Sequence, residues 1–194
     1  MFGLANVNQG LLFMRIFLTG VGCVGKTTIG TKLAEILGYS FFDLDQEIET
    51  FFGISIERLQ NKFLTIYSYR EEASKVLEHI LNLPESKDCV IALPPSGLLM
   101  GFWRVVKKTK GTTIAITDKP ENILNRITFY DIDSRLIEKH LTEKEKHLYI
   151  KDIKKDITYF GKSYKRANFQ VDIQGLDVAG AATKIAKMLE SSTG

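Results

Sequence analysis

The stretch Gly20-Val21-Gly22-Cys23-Val24-Gly25-Lys26-Thr27, followed by Thr28, decides the fold of this chain. Its spacing is G-x-x-x-x-G-K-T, and it lies between the apolar run Ile16-Phe17-Leu18 and a helical pattern. A buried strand, a tight glycine turn and a helix whose first amides face an anion together form a phosphate-binding loop. Lys26 is then expected to reach the β- and γ-phosphates, and the Thr27 hydroxyl to bind Mg²⁺. The motif therefore predicts binding of a nucleoside triphosphate such as ATP by residues 20–28.

Composition limits the class of protein. A length of 194 residues fits one domain with a full core, and 44% hydrophobic with 25% charged residues is typical of a soluble globular protein. The net charge of +3 is too small to indicate nucleic-acid binding unless the cations cluster on one face. We expect a small-molecule ligand, with no nucleic-acid partner.

The cysteines and the amino terminus indicate the cellular setting. Cys23 and Cys89 are too few and too poorly spaced for a disulfide framework or a metal site, so reduced thiols in a cytoplasmic protein are expected. Residues 1–13 contain a short apolar patch but neither a cationic start nor a long apolar core. We interpret them as an extension to a domain of residues 14–194, with no membrane association.

Apolar runs and helical periodicity alternate along the chain. This alternation predicts a single-domain α/β P-loop NTPase fold with a five-stranded, mainly parallel sheet between helices. The polar, charged and helix-prone residues 130–160 predict a helical lid. The expected strands are 15–19, 41–42, 89–93, 112–117 and 168–173, and the expected helices are 26–37, 46–52, 55–63, 68–81, 98–107, 121–129 and 177–189.

Two acidic residues, Asp43 and Asp45, follow the second predicted strand. Ligands of open α/β sheets bind at the carboxyl ends of the strands, so both carboxylates are candidates for the site. One could hold Mg²⁺, usually through water, and the other could accept a proton from a substrate hydroxyl. An alternative role for Asp45 is the N-cap of helix 46–52.

The run FLTGVGCVGKTTIGTKLAEILGYSFFDLDQEIE, residues 17–49, resembles the shikimate kinase family. These are small P-loop kinases that phosphorylate a hydroxyl group of a carboxylated ring. The resemblance resumes at Tyr69-Arg70, at residues 90–93 and at residues 111–127. It therefore covers most of the chain after Met14, although only the first segment is highly specific.

The resemblance implies roles for individual residues. It implies that Asp43 helps to hold Mg²⁺ and that Asp45 binds the acceptor hydroxyl and serves as base. It also implies that Arg70 binds a substrate carboxylate and that Arg135 is a catalytic lid arginine. A first-turn ion pair with a nearby acid is the alternative role for Arg70. Ser96 and Gly97, after the third strand, are expected to contact the substrate.

The acceptor half departs from the family pattern. A glycine triplet after the third strand is replaced by Pro94-Pro95-Ser96, with Gly97 beyond, and proline has no amide hydrogen to donate. A Gly-Glu pair upstream of Tyr69-Arg70 is missing. Near Tyr159-Phe160, where the family has a second carboxylate-binding arginine, the nearest cations are Lys155 and Lys162.

These observations favour a monomeric, Mg²⁺- and ATP-dependent kinase. Its acceptor is expected to be the hydroxyl of a small carboxylated or polyol metabolite, shikimate or a relative of it. Two alternatives stay open. One is a nucleotide-binding regulatory protein with a degenerate acceptor site. The other is a nucleoside or nucleotide kinase, which should show more arginines around the acceptor phosphate.

Overall fold

The computed structural model describes residues 14–192, which form a five-stranded sheet with helices on both faces and a separate two-stranded hairpin. The strands are β1 Arg15–Thr19, β2 Ser40–Asp43, β3 Cys89–Ala92, β4 Thr112–Thr117, β5 Phe129–Tyr130, β6 Leu136–Ile137 and β7 Phe169–Asp172. The helices are α1 Lys26–Leu37, α2 Leu44–Phe52, α3 Ile56–Gln60, α4 Ile66–Leu81, α5 Met100–Val106, α6 Pro120–Leu124, α7 Glu143–Tyr164 and α8 Val178–Ser192, with a short 3₁₀ turn at Pro84–Ser86.

The large sheet has the strand order β2-β3-β1-β4-β7, and every pairing in it is parallel. Parallel neighbours need a crossover connection, which the helices supply here. Because β1 lies in the middle, the loop that follows it opens at the centre of the carboxyl edge of the sheet. The predicted five-stranded α/β fold is confirmed.

The core lies in two layers, one on each face of the sheet. Ile16 and Leu18 of β1 are fully buried on one face, in the cluster that contains Leu33 of α1 and Ile185 of α8. Phe17 faces the opposite way and belongs to the cluster that α4 and α5 cover. Side chains alternate between faces along a strand, so a segment buried on both faces is apolar throughout, as β3 and residues 16–18 of β1 are.

The prediction of helix for residues 130–160 is wrong at its start. Residues 129–137 form an antiparallel hairpin, in which Phe129 pairs with Ile137 and Tyr130 with Leu136. Its turn is held by the Asp131 carboxylate, which accepts hydrogen bonds from the amides of Asp133 and Arg135. The helix α7 begins only at Glu143, after a capping box formed by Thr142 and Glu145.

Two helix starts also differ from the prediction. The N-cap of α2 is Asp43, whose side chain accepts a hydrogen bond from the Asp45 amide, so the alternative role of Asp45 as an N-cap is wrong. The helix α4 starts at Ile66, two residues earlier than predicted, and Thr65 is its N-cap. In both cases a residue just upstream of the predicted start supplies the side-chain oxygen that caps the helix.

Within residues 14–192, no helix combines the length and the apolar character that crossing a bilayer requires.

Candidate active site

The phosphate-binding loop connects β1 to α1. Gly20 has φ 149°, and a Cβ atom there would lie 2.6 Å from the Ile116 carbonyl oxygen of the neighbouring strand. Gly25, the N-cap of α1, has φ 106°. Only glycine adopts such angles without strain. The loop therefore turns tightly against β4 and aims the first amides of α1 at the space above the sheet.

Lys26 lies folded back on this loop. Its Nζ donates to the carbonyl oxygens of Gly20 and Val21, each at 3.0 Å. Burial lowers the pKa of Lys26, and the nearby carboxylates of Asp45 and Asp43 act in the opposite direction. A phosphate group that entered the loop would give this ammonium a stronger partner than the two carbonyls.

Thr27 and Asp43 are in direct contact. The Thr27 hydroxyl donates to Asp43 Oδ2 at 2.5 Å, while Asp43 Oδ1 caps α2. A hydroxyl and a carboxylate oxygen at the mouth of a phosphate-binding loop are a donor set that suits Mg²⁺, which takes one or two protein oxygens together with phosphates and water. The two side chains predicted as metal ligands are thus brought together and fit that role.

Asp45 is the half-buried carboxylate closest in sequence to this pair. It lines the same cavity as Lys26, and no hydrogen bond from the described residues reaches its carboxylate oxygens. Burial raises the pKa of Asp45 to about 6, with Lys26 opposing the rise and Asp43 and Glu49 adding to it. An unpaired carboxylate with a pKa near neutrality suits a group that accepts a proton.

These groups share a cavity of about 1000 Å³. One end is formed by the loop and the start of α1, and the other by α2, α3, the end of β3 and the hairpin. The lining residues beyond the loop are Asp43, Asp45, Gln46, Glu49, Ile56, Glu57, Ala92, Leu93, Pro95, Arg126, Thr128, Tyr130, Asp131, Ser134 and Val178. A second, smaller and largely apolar cavity of about 210 Å³ adjoins the loop and includes Val24, Ile29, Ile173 and Leu176.

Outside the phosphate-binding loop, four of the predicted site residues do not line the large cavity; within the loop, Gly20 and Val24 do not line it either. Arg70 is only 7% exposed, and its Nη1 points at the Met100 sulfur at 3.8 Å. The alternative of an ion pair with its neighbour is not observed, because Glu71 pairs with Arg104. Ser96 and Gly97 are buried behind Pro95, and Arg135 is exposed on the hairpin. Their functional roles stay predictions.

Several cavity residues were missed by the sequence reasoning. Arg126 donates to the Val24 carbonyl oxygen in the loop and to Asp118, at 3.2 and 2.6 Å. Glu49 accepts hydrogen bonds from the Ile56 amide and the Ser134 hydroxyl, which join α3 and the hairpin to α2. The one available signal was the i, i+4 spacing of Asp45 and Glu49, which places both on one face of α2.

A parallel sheet whose central strand runs into a glycine loop, with a lysine, a threonine and a carboxylate around it, defines a P-loop nucleotide-binding protein. Within that class, the profile of the shikimate kinase family matches residues 22–188. The chain belongs to the shikimate kinase family.

Individual relatives agree with this membership. A shikimate kinase of Chlorobium limicola is 34% identical over 119 residues, which are 58% of this chain and 54% of that protein. A shikimate kinase of Thermoanaerobacter pseudethanolicus is 27% identical over 173 residues, covering 89% of this chain and 94% of that protein. The matches to three Chlorobium relatives span 54%, 63% and 57% of their lengths.

Solved structures support the fold. Shikimate kinase from Bacteroides thetaiotaomicron superposes with a TM-score of 0.73 at 21% identity, over 91% of this chain and 98% of that one. Shikimate kinase from Acinetobacter baumannii, solved in complex with shikimate, gives a TM-score of 0.71 at 24% identity, over 93% and 94%. At these identities the likeness concerns the fold alone.

Proposed function

We propose that this protein is an ATP-dependent kinase that transfers the γ-phosphoryl group to a hydroxyl of a small metabolite. The observation that carries the proposal is the placement of the phosphate-binding loop, the Thr27–Asp43 pair and the unpaired Asp45 carboxylate around one cavity. A protein that only bound nucleotide would not need Asp45. All these groups come from one chain, so we propose that a monomer is sufficient.

On the donor side, the chain supplies positioning and positive charge. The loop amides hold the phosphates, and Lys26 leaves the Gly20 and Val21 carbonyls to contact them. The small apolar cavity beside the loop, with Arg126 at its edge, is suited to the nucleoside base. Mg²⁺ held by Thr27 and Asp43 would neutralise phosphate charge during transfer.

On the acceptor side, Asp45 orients the hydroxyl and takes its proton. The acceptor oxygen forms a bond to the γ-phosphorus as the bond from that phosphorus to the bridging oxygen of ADP breaks. With a pKa of about 6, most Asp45 side chains are ionised at neutral pH and can accept this proton.

The hairpin covers the cavity from the outside. Tyr130, Asp131 and Ser134 of the hairpin, with Thr128 just before it, contribute to the lining next to Glu49 and Ile56. A roof of this kind excludes water, which would otherwise compete with the acceptor for the phosphoryl group. We propose that the same segment carries Arg135 toward the phosphates when nucleotide is bound.

The decisive experiment is a coupled ADP-release assay with Mg²⁺-ATP and a panel of hydroxylated metabolites. Shikimate belongs in it because of the family, as do hydroxy acids and polyols. We expect at least one acceptor to raise ADP release above the ATP hydrolysis background. Lys26→Ala should abolish this release, whereas Lys32→Ala, at a half-buried position on the same helix outside the cavity lining, should retain it. Nucleotide binding without acceptor-dependent turnover across the panel would favour the regulatory alternative.

The proposed metal site has its own test. Asp43→Asn keeps an N-cap oxygen for α2, since asparagine caps as well as aspartate, but removes the charge. The Mg²⁺ concentration that half-saturates ATP binding should then rise by about tenfold or more, which corresponds to about 1.4 kcal/mol. An unchanged Mg²⁺ requirement in this variant would exclude Asp43 from the metal site.

A further inference from the structure

Arg70 of α4 is a buried cation that has no oxygen atom as its partner. The residue is only 7% exposed, and within residues 14–192 the one hydrogen bond of its guanidinium runs from Nη1 to the Met100 sulfur at 3.8 Å. A thioether is a weak acceptor. Because a buried charge is normally paired, a guanidinium held by a sulfur alone would be stabilised by an anion.

The acidic neighbours of Arg70 are held by other cations. Glu71 pairs through Oε2 with Arg104 of α5, and its Oε1 is buried without a hydrogen-bond partner in the described part of the chain. Glu72 pairs with Lys75, one turn further along α4. These ion pairs keep both carboxylates away from the guanidinium of Arg70 and leave it available to a ligand.

The backbone places Met100 against Arg70. Met100 is the first residue of α5 and has φ +48°, a left-handed conformation that residues other than glycine rarely adopt. Gly101 lets α5 approach α4 closely, because a Cβ atom there would lie 2.7 Å from Ser74 Oγ and 3.0 Å from the Arg70 carbonyl oxygen. The Met100 side chain is unbranched, flexible and 39% exposed, so its sulfur can move while this backbone packing stays in place.

Arg70 does not line the large cavity but lies near its acceptor end. The preceding residue, Tyr69, is buried in the core layer between α2 and α4. Burial raises the pKa of Tyr69 to about 12, with Asp45 and Glu49 of the cavity adding to the rise and Arg70 opposing it. One buried hydroxyl is thus close to the cavity carboxylates and to the guanidinium.

We propose that Met100 is a positioning residue that sets the acceptor specificity: its sulfur holds the Arg70 guanidinium until the carboxylate of an acceptor replaces it. A carboxylate is charged and can accept two hydrogen bonds from a guanidinium, whereas the sulfur accepts one weak bond. The exchange therefore favours acceptors that carry a carboxylate over neutral ones. This inference rests on the proposed kinase function and adds a residue that acts only through Arg70.

Two ligands test the exchange. Shikimate and its methyl ester share the hydroxylated ring and differ in the charge of the carboxyl group. Their affinities are measured by isothermal titration calorimetry with the protein saturated with ADP and Mg²⁺. Shikimate should bind about tenfold more tightly than the ester, because only its carboxylate can replace the sulfur. Equal affinities, or no binding of shikimate, would overturn the proposal.

Two substitutions separate the sulfur of Met100 from its bulk. Met100→Gln presents a carbonyl oxygen, a stronger acceptor, at nearly the same side-chain length, so it should retain the guanidinium and compete with the carboxylate. The affinity for shikimate should fall about fivefold or more while that for the ester stays constant. Met100→Leu has a similar volume but no acceptor and should keep the preference for shikimate. An unchanged affinity in Met100→Gln, or equal losses in both variants, would reject the role of Met100.

The ion pair between Arg104 and Glu71 has its own test. Arg104→Met removes the partner of Glu71, whose carboxylate can then pair with the adjacent Arg70 and lower the affinity for shikimate. Adding Glu71→Gln to Arg104→Met should restore the wild-type affinity, because the competing charge is gone. A double variant that binds shikimate as weakly as Arg104→Met would show that this ion pair does not keep Arg70 available.

Kinetics distinguish this inference from the proposed function. Both stand if Met100→Gln raises the KM for shikimate while kcat and the KM for ATP stay constant. If shikimate raises ADP release but Met100→Gln has the wild-type KM, the kinase stands and the role of Met100 is rejected. If no compound raises ADP release but shikimate binding responds to Met100→Gln as expected, the kinase proposal fails and the anion site at Arg70 stands.

Discussion

Gly20 and Gly22 lie two residues apart in the phosphate-binding loop but differ in what a side chain would meet. A Cβ atom at Gly20 would lie 2.6 Å from the Ile116 carbonyl oxygen and 2.9 Å from Val24 Cγ1, at a φ of +149°. At Gly22 nothing lies within 4 Å. The requirement for glycine at position 20 therefore comes from the backbone of β4 and not from a ligand.

Gly20→Ala should lower the free energy of unfolding by about 1–3 kcal/mol, because the clash forces the loop away from β4. Gly22→Ala should stay within about 0.5 kcal/mol of the wild type. Urea denaturation without nucleotide measures both values. Similar losses in the two variants would show that the loop is held in some other way.

Asp45 gives a residue-scale prediction about pH. Its pKa is raised by burial to about 6, above the ordinary value of 3.8 for this side chain. The folded protein therefore binds this proton more tightly than the unfolded chain, and stability falls as pH rises between these two values. The full difference amounts to at most about 3 kcal/mol, since one pKa unit corresponds to about 1.4 kcal/mol.

Asp45→Asn should remove this penalty. At about pH 8 the variant should be more stable than the wild type by roughly 1–3 kcal/mol, and at about pH 4 the two should be alike. Phosphoryl transfer should be lost while ATP still binds. Urea denaturation at both pH values, with nucleotide titration, checks each statement. A stability difference that does not change with pH would place the pKa of Asp45 near its ordinary value.

The nucleotide half of the site could be predicted from the sequence because its residues lie close together along the chain. Lys26 and Thr27 stand in one motif, and Asp43 follows at the end of the next strand; the structure brings all three together. Glu57 and Arg126 enter the cavity through tertiary contacts that no short pattern encodes. Their recognition required the packing of α3 on α2 and the contact from Arg126 to the loop.

At the scale of elements, the hairpin of residues 129–137 is the segment that local reasoning predicted least well. Its charged, helix-prone composition indicated a helix, but the Asp131 side chain satisfies two amides of the turn and stabilises the hairpin instead. Contacts with α2 and α3 then hold it in place. Most helix ends were predicted to within a few residues, but the predicted helix 121–129 ends at Leu124, and Phe129 lies in β5. The errors at the starts of α2 and α4 arose because a polar residue upstream of the predicted start acts as the cap.

The hairpin is fastened across the mouth of the cavity by side chains from the α2–α3 region. Arg58 forms a two-pronged ion pair with Asp133, Ser55 donates to the Ile132 carbonyl oxygen, and Ser134 donates to Glu49. Arg58 and Asp133 lie on the outer surface, with side chains 48% and 38% exposed. They do not line the cavity, so the pair can affect ligand exchange without touching ligand.

Arg58→Ala removes the ion pair that holds the hairpin over the cavity, so release of a fluorescent ATP analogue should become faster. The increase should be about threefold or more, because an exposed ion pair contributes only a modest free energy. Amide hydrogen exchange in residues 129–137 should increase in parallel. The charge-swapped double variant Arg58→Asp with Asp133→Arg should restore part of the slow release. If the double variant releases nucleotide as fast as Arg58→Ala, the ion pair does not fasten the hairpin.

At the scale of the whole molecule, the acceptor half depends on contacts between distant parts of the chain. The loop after β3 is held by the end of α7: the Tyr164 hydroxyl donates to the Pro95 carbonyl oxygen, and Arg166 donates to that of Leu98 at 2.7 Å. Arg166 also lies over the ring of Trp103, 5.5 Å from its centre. The sequence showed the two prolines, but not that Tyr164 of α7 holds Pro95 or that Arg70 is directed at Met100.

Tyr164 therefore offers a test of whether α7 holds the cavity-lining loop at Pro95 in position for the acceptor. Burial raises the pKa of Tyr164, so its hydroxyl stays protonated and can donate at neutral pH. Tyr164→Phe leaves the Pro95 carbonyl oxygen without this partner and should lower the free energy of unfolding by about 1–2 kcal/mol. Because Pro95 lines the cavity away from the phosphate-binding loop, the KM for the acceptor should rise several-fold while the KM for ATP stays constant.

Tyr159→Phe, on the same helix with Tyr159 64% exposed, is the matched control and should change neither value. Parallel rises of both KM values in Tyr164→Phe would indicate a general loss of structure. The proposal that α7 positions Pro95 for the acceptor would then be rejected.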